Sequence, residues 1–205
     1  MRTLLFLCLA SSLLAQDFNL GLKQTSQDAS PGYTLFAPMQ STTTYLIDND
    51  GLLVHQWPGT AEPGHSVYLL ENGNLLRTEM VRNQKFTGGG SGGRILLIDW
   101  EGDIEWEYEY SSSQYLQHHD VEYLPNGNVL ILAWEVKTGS EALAAGRRAD
   151  LLVQGELWQE HLVEVQPDGK NGGTIVWEWH AWDHLVQNYD AGKENFGEIA
   201  AHPDL

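Results

Sequence analysis

The chain has one cysteine, Cys8, and it lies within the first fifteen residues. Everything downstream must hold together without disulfide bonds, and no thiol stands there for nucleophilic or redox chemistry. Cationic residues are also scarce: 11 Lys and Arg face 28 Asp and Glu, a formal charge of −17 over 205 residues. That deficit argues against nucleic acid and anionic membranes as partners, since both need a basic surface. Long hydrophobic runs are missing after the N-terminus, so no later segment reads as a membrane span. The acidity is spread along the chain and reads as a solvated surface.

What is present begins with "MRTLLFLCLASSLLAQ": one positive charge at Arg2, an apolar run from Leu4, and small residues toward Ala15. This is the pattern of a secretory signal peptide, cut after Ala15, and its apolar run is short for a membrane span. Residues 16–31 read as a linker and 32–205 as the folded domain. A periplasmic or secreted protein is expected. Losing Arg2 with the leader takes the charge to −18. Eight Trp and eight Tyr supply a large aromatic content for a core.

The strongest signal is internal repetition. "TTYLIDNDGLLVHQWPG" followed by "HSVYLLENGNLLRTE" is answered by "GRILLIDWEGDIEWEYEY" followed by "HHDVEYLPNGNVLILAWE". Leu46-Ile47-Asp48 aligns with Leu97-Ile98-Asp99, Asn72-Gly73-Asn74 with Asn126-Gly127-Asn128, and His65 with His119. A third unit opens at "EHLVEVQPDGKNGGTIVWEWH", where Trp177 answers Trp57 and Trp106. Apolar and polar residues alternate, and Asp-Gly and Asn-Gly join the runs as tight hairpins. Four antiparallel strands recurring at this spacing predict an all-β fold, a β-propeller of four-stranded blades; a β-sandwich is the competing architecture. About two and a half blades are expected, against the roughly four to eight a propeller needs. The chain is therefore read as the N-terminal part of a longer protein, prone to aggregate alone. "KTGSEALAAGRRADLLVQGELW" interrupts the pattern and predicts a short helix from Glu141 to Arg148 capped by Ser140. "HAWDHLVQNYDAG" predicts a second helical insertion. Each reads equally as a site lid or a plain surface excursion.

"YLIDNDGLLVHQW", "GRILLIDWEGDIEWEYEY", "QHHDVEYLPNGNVLILAWE" and "GELWQEHLVEVQPDG…IVWEWHAWDHL" together resemble the bacterial arylsulfotransferase family, over roughly residues 32–205. The resemblance implies an exported, six-bladed propeller. It implies transfer of a sulfuryl group from a phenolic sulfate ester to another phenol through a sulfated histidine. It also implies a pore-lining site of several histidines and an arginine drawn from different blades. The residue it carries over here is His119, with His118 second. The nucleophilic histidine and the catalytic arginine fall in later blades. The partners it implies are a small phenolic sulfate and a phenol.

The residue types suit that chemistry. Sulfuryl transfer needs in-line attack and stabilisation of negative charge spreading over oxygen. An imidazole can attack sulfur, and another can protonate the leaving phenolate. Asp120 is expected to hold the His119 ring by a hydrogen bond. His65, Arg94 and Trp134 are the candidates for substrate binding. "FTGGGSGGRI" has two readings, an anion cradle ending at Arg94 or a blade connector. His118 and His119 are neighbours on a strand and are expected to point to opposite faces, so a shared metal is not expected. No cofactor motif is present. Trp57, Trp106, Trp177 and Trp179 read as packing between sheets, and His161, His180, His184 and His202 as surface or structural. The alternative function is a non-catalytic exported propeller that binds a ligand or a protein partner.

Overall fold

The computed structural model describes residues 22–152 and 155–202; the expected leader and the start of the linker lie outside them. The fold is nearly all-β, in three antiparallel sheets. Strands β1 (Tyr33–Phe36), β2 (Thr43–Asp48) and β3 (Leu53–Pro58) form the first. The second holds β4 (Pro63–Leu69), β5 (Leu75–Met80), β6 (Gly93–Ile98) and β7 (Ile104–Glu109) in chain order. The third holds β8 (Tyr115–Tyr123), β9 (Val129–Thr138), β10 (Glu156–Asp168) and β11 (Gly172–His180), also in chain order. The described residues form no closed ring of sheets.

The repeat and the sheets are out of phase. Each four-stranded sheet joins the histidine hairpin of one sequence unit to the Asp-Gly hairpin of the next. The third unit's opening half is therefore not a stray half-blade, because it completes the last sheet. The turns repeat the same chemistry. Asp48 and Asp99 carboxylates accept from the amides of Leu52 and Asp103, and Asn72 and Asn126 accept from Asn74 and Asn128. Gly51, Gly102, Gly73 and Gly127 all take positive φ, where a side chain would be strained.

The sheets pack face to face. Leu46 and Trp57 of the first meet Leu75, Leu96 and Ile98 of the second. Leu76, Ile95 and Trp106 of the second meet Val121, Val129, Ile131, Ala133, Val163 and Val165 of the third. Strand β4 lies against β8 and β7 against β11, so corresponding edges stay together. A tryptophan fastens each interface. Trp57 Nε1 donates to the Asp99 carbonyl at 2.9 Å, and Trp106 Nε1 to the Gly172 carbonyl at 2.8 Å. Each indole reaches into the next sheet's outer hairpin while its ring is buried. Trp177 stands at the equivalent place in the third sheet but is 47% exposed, so the core role expected for it is not met. No further sheet covers that face among the described residues.

Two insertions differ from expectation. The helix spans Gly139–Ala144 rather than reaching Arg148, and its cap is Thr138, two residues before the expected Ser140. Thr138 accepts from the Glu141 amide while the Glu141 carboxylate accepts from the Thr138 amide, a complete capping box. The second insertion is only a 3₁₀ turn, Ala181–His184. Among the described residues no helix is long and apolar enough to cross a membrane.

His161 on β10 is buried, with Nε2 accepting from the Tyr110 hydroxyl at 2.9 Å. Around it stand Glu135 and Lys137 on β9 and Glu178 and His180 on β11, and the His180 ring stacks on it. Burial pulls its pKa down to about 4, against the partial opposition of Glu135. An unfolded histidine titrates near about 6.5, so the unfolded chain takes up the proton first on acidification. The stability due to neutral His161 is present above that value and is lost as pH falls toward 4. We expect a loss of about 2–3 kcal/mol across this window. Urea unfolding at pH 7 and 4.5 should show it, and His161→Gln should flatten it; an unchanged slope in the variant would exclude His161 as the cause.

Candidate functional site

The site grows from an irregularity shared by β4 and β8. In the third sheet Gln117 pairs with Ala133 and Val121 with Ile131, leaving His118, His119 and Asp120 opposite a single residue of β9. In the second sheet Pro63 pairs with Glu79 and Val67 with Arg77, leaving Gly64, His65 and Ser66 opposite Thr78. The two bulges occupy equivalent places in the repeat. At the centre of each sits a histidine in left-handed backbone: His65 at φ +80° and His119 at φ +52°. Such a conformation costs a non-glycine residue on the order of 1–3 kcal/mol, and bulges of this kind gather where a side chain must be re-aimed. Both side chains are exposed, and their ring centroids are 5.9 Å apart.

The bulge also overturns the alternation argument for the adjacent histidines. His118 and His119 do not diverge: their Nδ1 atoms lie 2.8 Å apart, with the rings perpendicular. His118 is buried. Its Nε2 is 2.7 Å from a Glu160 carboxylate oxygen, and its ring stacks on Trp134 at 4.0 Å. Trp134 pairs with Glu160 across β9 and β10 and donates its Nε1 proton to the other carboxylate oxygen at 3.2 Å. Phe86 and Trp158 pack behind Trp134. Burial holds the His118 pKa below its ordinary value, with Glu160 pulling it up and His119 adding to the fall.

Asp120 does not hold an imidazole. Its Oδ1 accepts from the Tyr68 hydroxyl of β4 at 2.7 Å and from the Val121 amide. This cross-sheet bond, with burial, pushes the Tyr68 phenol up to about 12. The glycine-rich loop connects β5 to β6, and its last two glycines form no anion cradle. The amides of Gly92 and Gly93 donate to the Gln117 carbonyl and side chain, so they are not free to cradle an anion. Gly90 instead lies under the His119 ring, and its carbonyl accepts from the His119 amide. A Cβ at Gly90 would come within 2.2 Å of the imidazole, so only glycine leaves that ring its place.

Arg94 lies elsewhere. Its guanidinium bridges Glu79 and Glu107 across β5, β6 and β7 rather than facing the histidines. A hollow of about 390 Å³ opens beside His65, lined by Met39, Met80, Arg82, Phe86 and Gly90. Arg82 makes no ion pair among the described residues, so it supplies a positive charge to this hollow. Arg82 and Glu160 had no repeat or motif to mark them in the sequence, and Gly90 had only its place in the glycine-rich stretch. Glu160 alone had a signal of a kind, since it sits opposite Trp134 once β9 and β10 are paired. Among the described residues no group of three histidine, cysteine or acidic side chains is placed to hold a metal ion. No protein-family model matches the chain, and no curated protein matches it.

Proposed function

We propose that the three sheets are successive blades of a β-propeller and that the protein is an exported aryl-sulfate sulfotransferase. In this reading it moves a sulfuryl group from a phenolic sulfate ester to a second phenol. The observation that carries the site is the pair His65 and His119: equivalent residues of successive repeats, both strained, with their rings brought together. Repeated sheets arranged radially would converge equivalent side chains in this way. The reaction class rests on the resemblance of the four stretches quoted above.

In the first half-reaction an imidazole nitrogen supplied by a later blade bonds to sulfur. The sulfur–oxygen bond breaks, and the departing phenolate takes the proton that the attacking imidazole loses from its other nitrogen. In the second half, the acceptor phenol gives its proton to His119 as its oxygen bonds to sulfur, and the sulfur–nitrogen bond breaks. Proton transfers of this kind contribute about 10²–10⁴-fold. Arg82 stands where sulfuryl oxygens entering the hollow would meet a positive charge. The non-catalytic reading draws on the same hollow, whose mainly apolar lining and size suit a small aromatic ligand without chemistry.

The deciding experiment expresses the full-length gene product and follows phenolate release from a chromogenic phenyl sulfate, with and without added phenol. Release that depends on the acceptor is expected. Saturable binding of the sulfate ester with no release would establish the binding reading instead.

A further inference from the structure

The contacts around His118 fix where protons can sit, and this gives Glu160 a part in the reaction. Resting on the transferase reading, we propose that Glu160 is a positioning residue: acting through His118, it fixes His119 in the tautomer that leaves Nε2 unprotonated toward substrate.

A carboxylate only accepts, so the 2.7 Å contact between Glu160 and His118 Nε2 requires the proton on that nitrogen. A neutral imidazole carries one proton, so His118 Nδ1 is then an acceptor. Its partner at 2.8 Å is His119 Nδ1, which must be the donor. The proton of neutral His119 is thereby committed to Nδ1, and the lone pair is left on Nε2. Nothing in the described residues hydrogen-bonds to that second nitrogen. It is the only imidazole nitrogen of the pair open to a ligand.

The surroundings hold each link in place. The Trp134 indole donates to the second oxygen of Glu160, fixing the rotation of the carboxylate. The same indole stacks on His118 and stops its ring from turning. Gly90, with no side chain, leaves room for the His119 ring beside it. Glu160 is half exposed, with its side chain at 51%, yet it is the carboxylate that reaches His118. In the second half-reaction, the free Nε2 receives the acceptor phenol's proton and passes it to the imidazole released from sulfur. His118 stays neutral throughout.

The test is nitrogen NMR of the full-length protein labelled with ¹⁵N-histidine, with the His119 signals assigned by their loss in His119→Gly. Wild type should show His119 protonated on Nδ1 and bare on Nε2. Glu160→Ala should give a mixture of tautomers, and turnover should fall roughly 10–10²-fold, since a wrong tautomer at a catalytic imidazole costs up to about 10⁴-fold. Glu160→Gln, whose amide oxygen can still accept from His118 while its nitrogen then faces the Trp134 N–H, should restore the tautomer and the rate in part. A proton found on His119 Nε2 in wild type would overturn the assignment, as would a Gln variant as slow as the Ala variant. Because the tautomer is read without turnover, a wild-type protein inactive in transfer sinks the proposed reaction alone.

Discussion

If the proposed transfer is the protein's reaction, His119→Gly should lower it about 10²–10⁴-fold, while stability should stay within about 1 kcal/mol of wild type or rise. The two halves of this expectation have separate causes. Rate falls because the only solvent-facing nitrogen of the histidine pair is gone. Stability holds because glycine occupies φ +52° without the steric cost that histidine bears there. The substitution also opens the Nδ1 of His118 to water, which can replace the lost partner. A histidine kept for structure would behave in the opposite way: removal would cost stability and leave any activity in proportion to folded protein. Paired measurements of turnover and urea midpoint therefore separate the roles. A variant that retained full transfer would remove His119 from the mechanism.

The same strained backbone explains what could and could not be read from the sequence. The repeat was legible because hairpin turns announce themselves: a glycine recurs three residues after the aspartate of Leu-Ile-Asp, and Asn-Gly begins seven residues after histidine. Trp57 and Trp106 were legible as packing residues because each lies on the strand that follows such a turn. The phase of the sheets was not legible. Hairpin signals show which strands are joined by tight turns, but not which hairpins share a ladder, and only the pairings of β5 with β6 and of β9 with β10 decide that. The relation of His118 to His119 was misread because period-two alternation assumes an unbroken ladder. Two extra residues in the bulge turn one side chain back toward its neighbour, and no residue type in "QHHDVEY" signals a bulge. Asp120 was given to the wrong partner because Tyr68 lies in a different sheet. Gly90 is one glycine among five in the sequence stretch, and only its position under an imidazole sets it apart. Arg94 drew notice as the cation ending a glycine loop, yet β5 and β7 each present a glutamate to it.

Arg77→Ala lowers stability by about 3–5 kcal/mol, the largest loss expected of any single change away from the histidines. Arg77 is a fully buried arginine on β5, and its guanidinium ties the second sheet to the first. It donates to the Thr42 carbonyl at 2.6 Å, to the Ala61 carbonyl at 2.8 Å and to the Thr44 hydroxyl at 3.3 Å. Gly59 makes room for it, since a Cβ there would lie 2.4 Å from the guanidinium. Burial lowers its pKa and Glu79, at 3.6 Å, raises it, so part of the charge's desolvation is offset. Glu79 does not depend on Arg77 alone, for Arg94 and the Thr60 amide and hydroxyl also hold it. The loss on substitution therefore comes from the carbonyls and the cavity rather than from a stranded carboxylate. This distinction has its own test. Arg77→Met fills most of the volume and removes the buried charge, but leaves the Ala61 carbonyl without its donor, at about 1–3 kcal/mol, while the Thr42 carbonyl keeps the Gly59 amide. Methionine should accordingly recover only part of the loss seen with alanine, measured by urea unfolding. Recovery to wild-type stability would mean that the guanidinium is a tolerated charge and that apolar contact alone joins the two sheets.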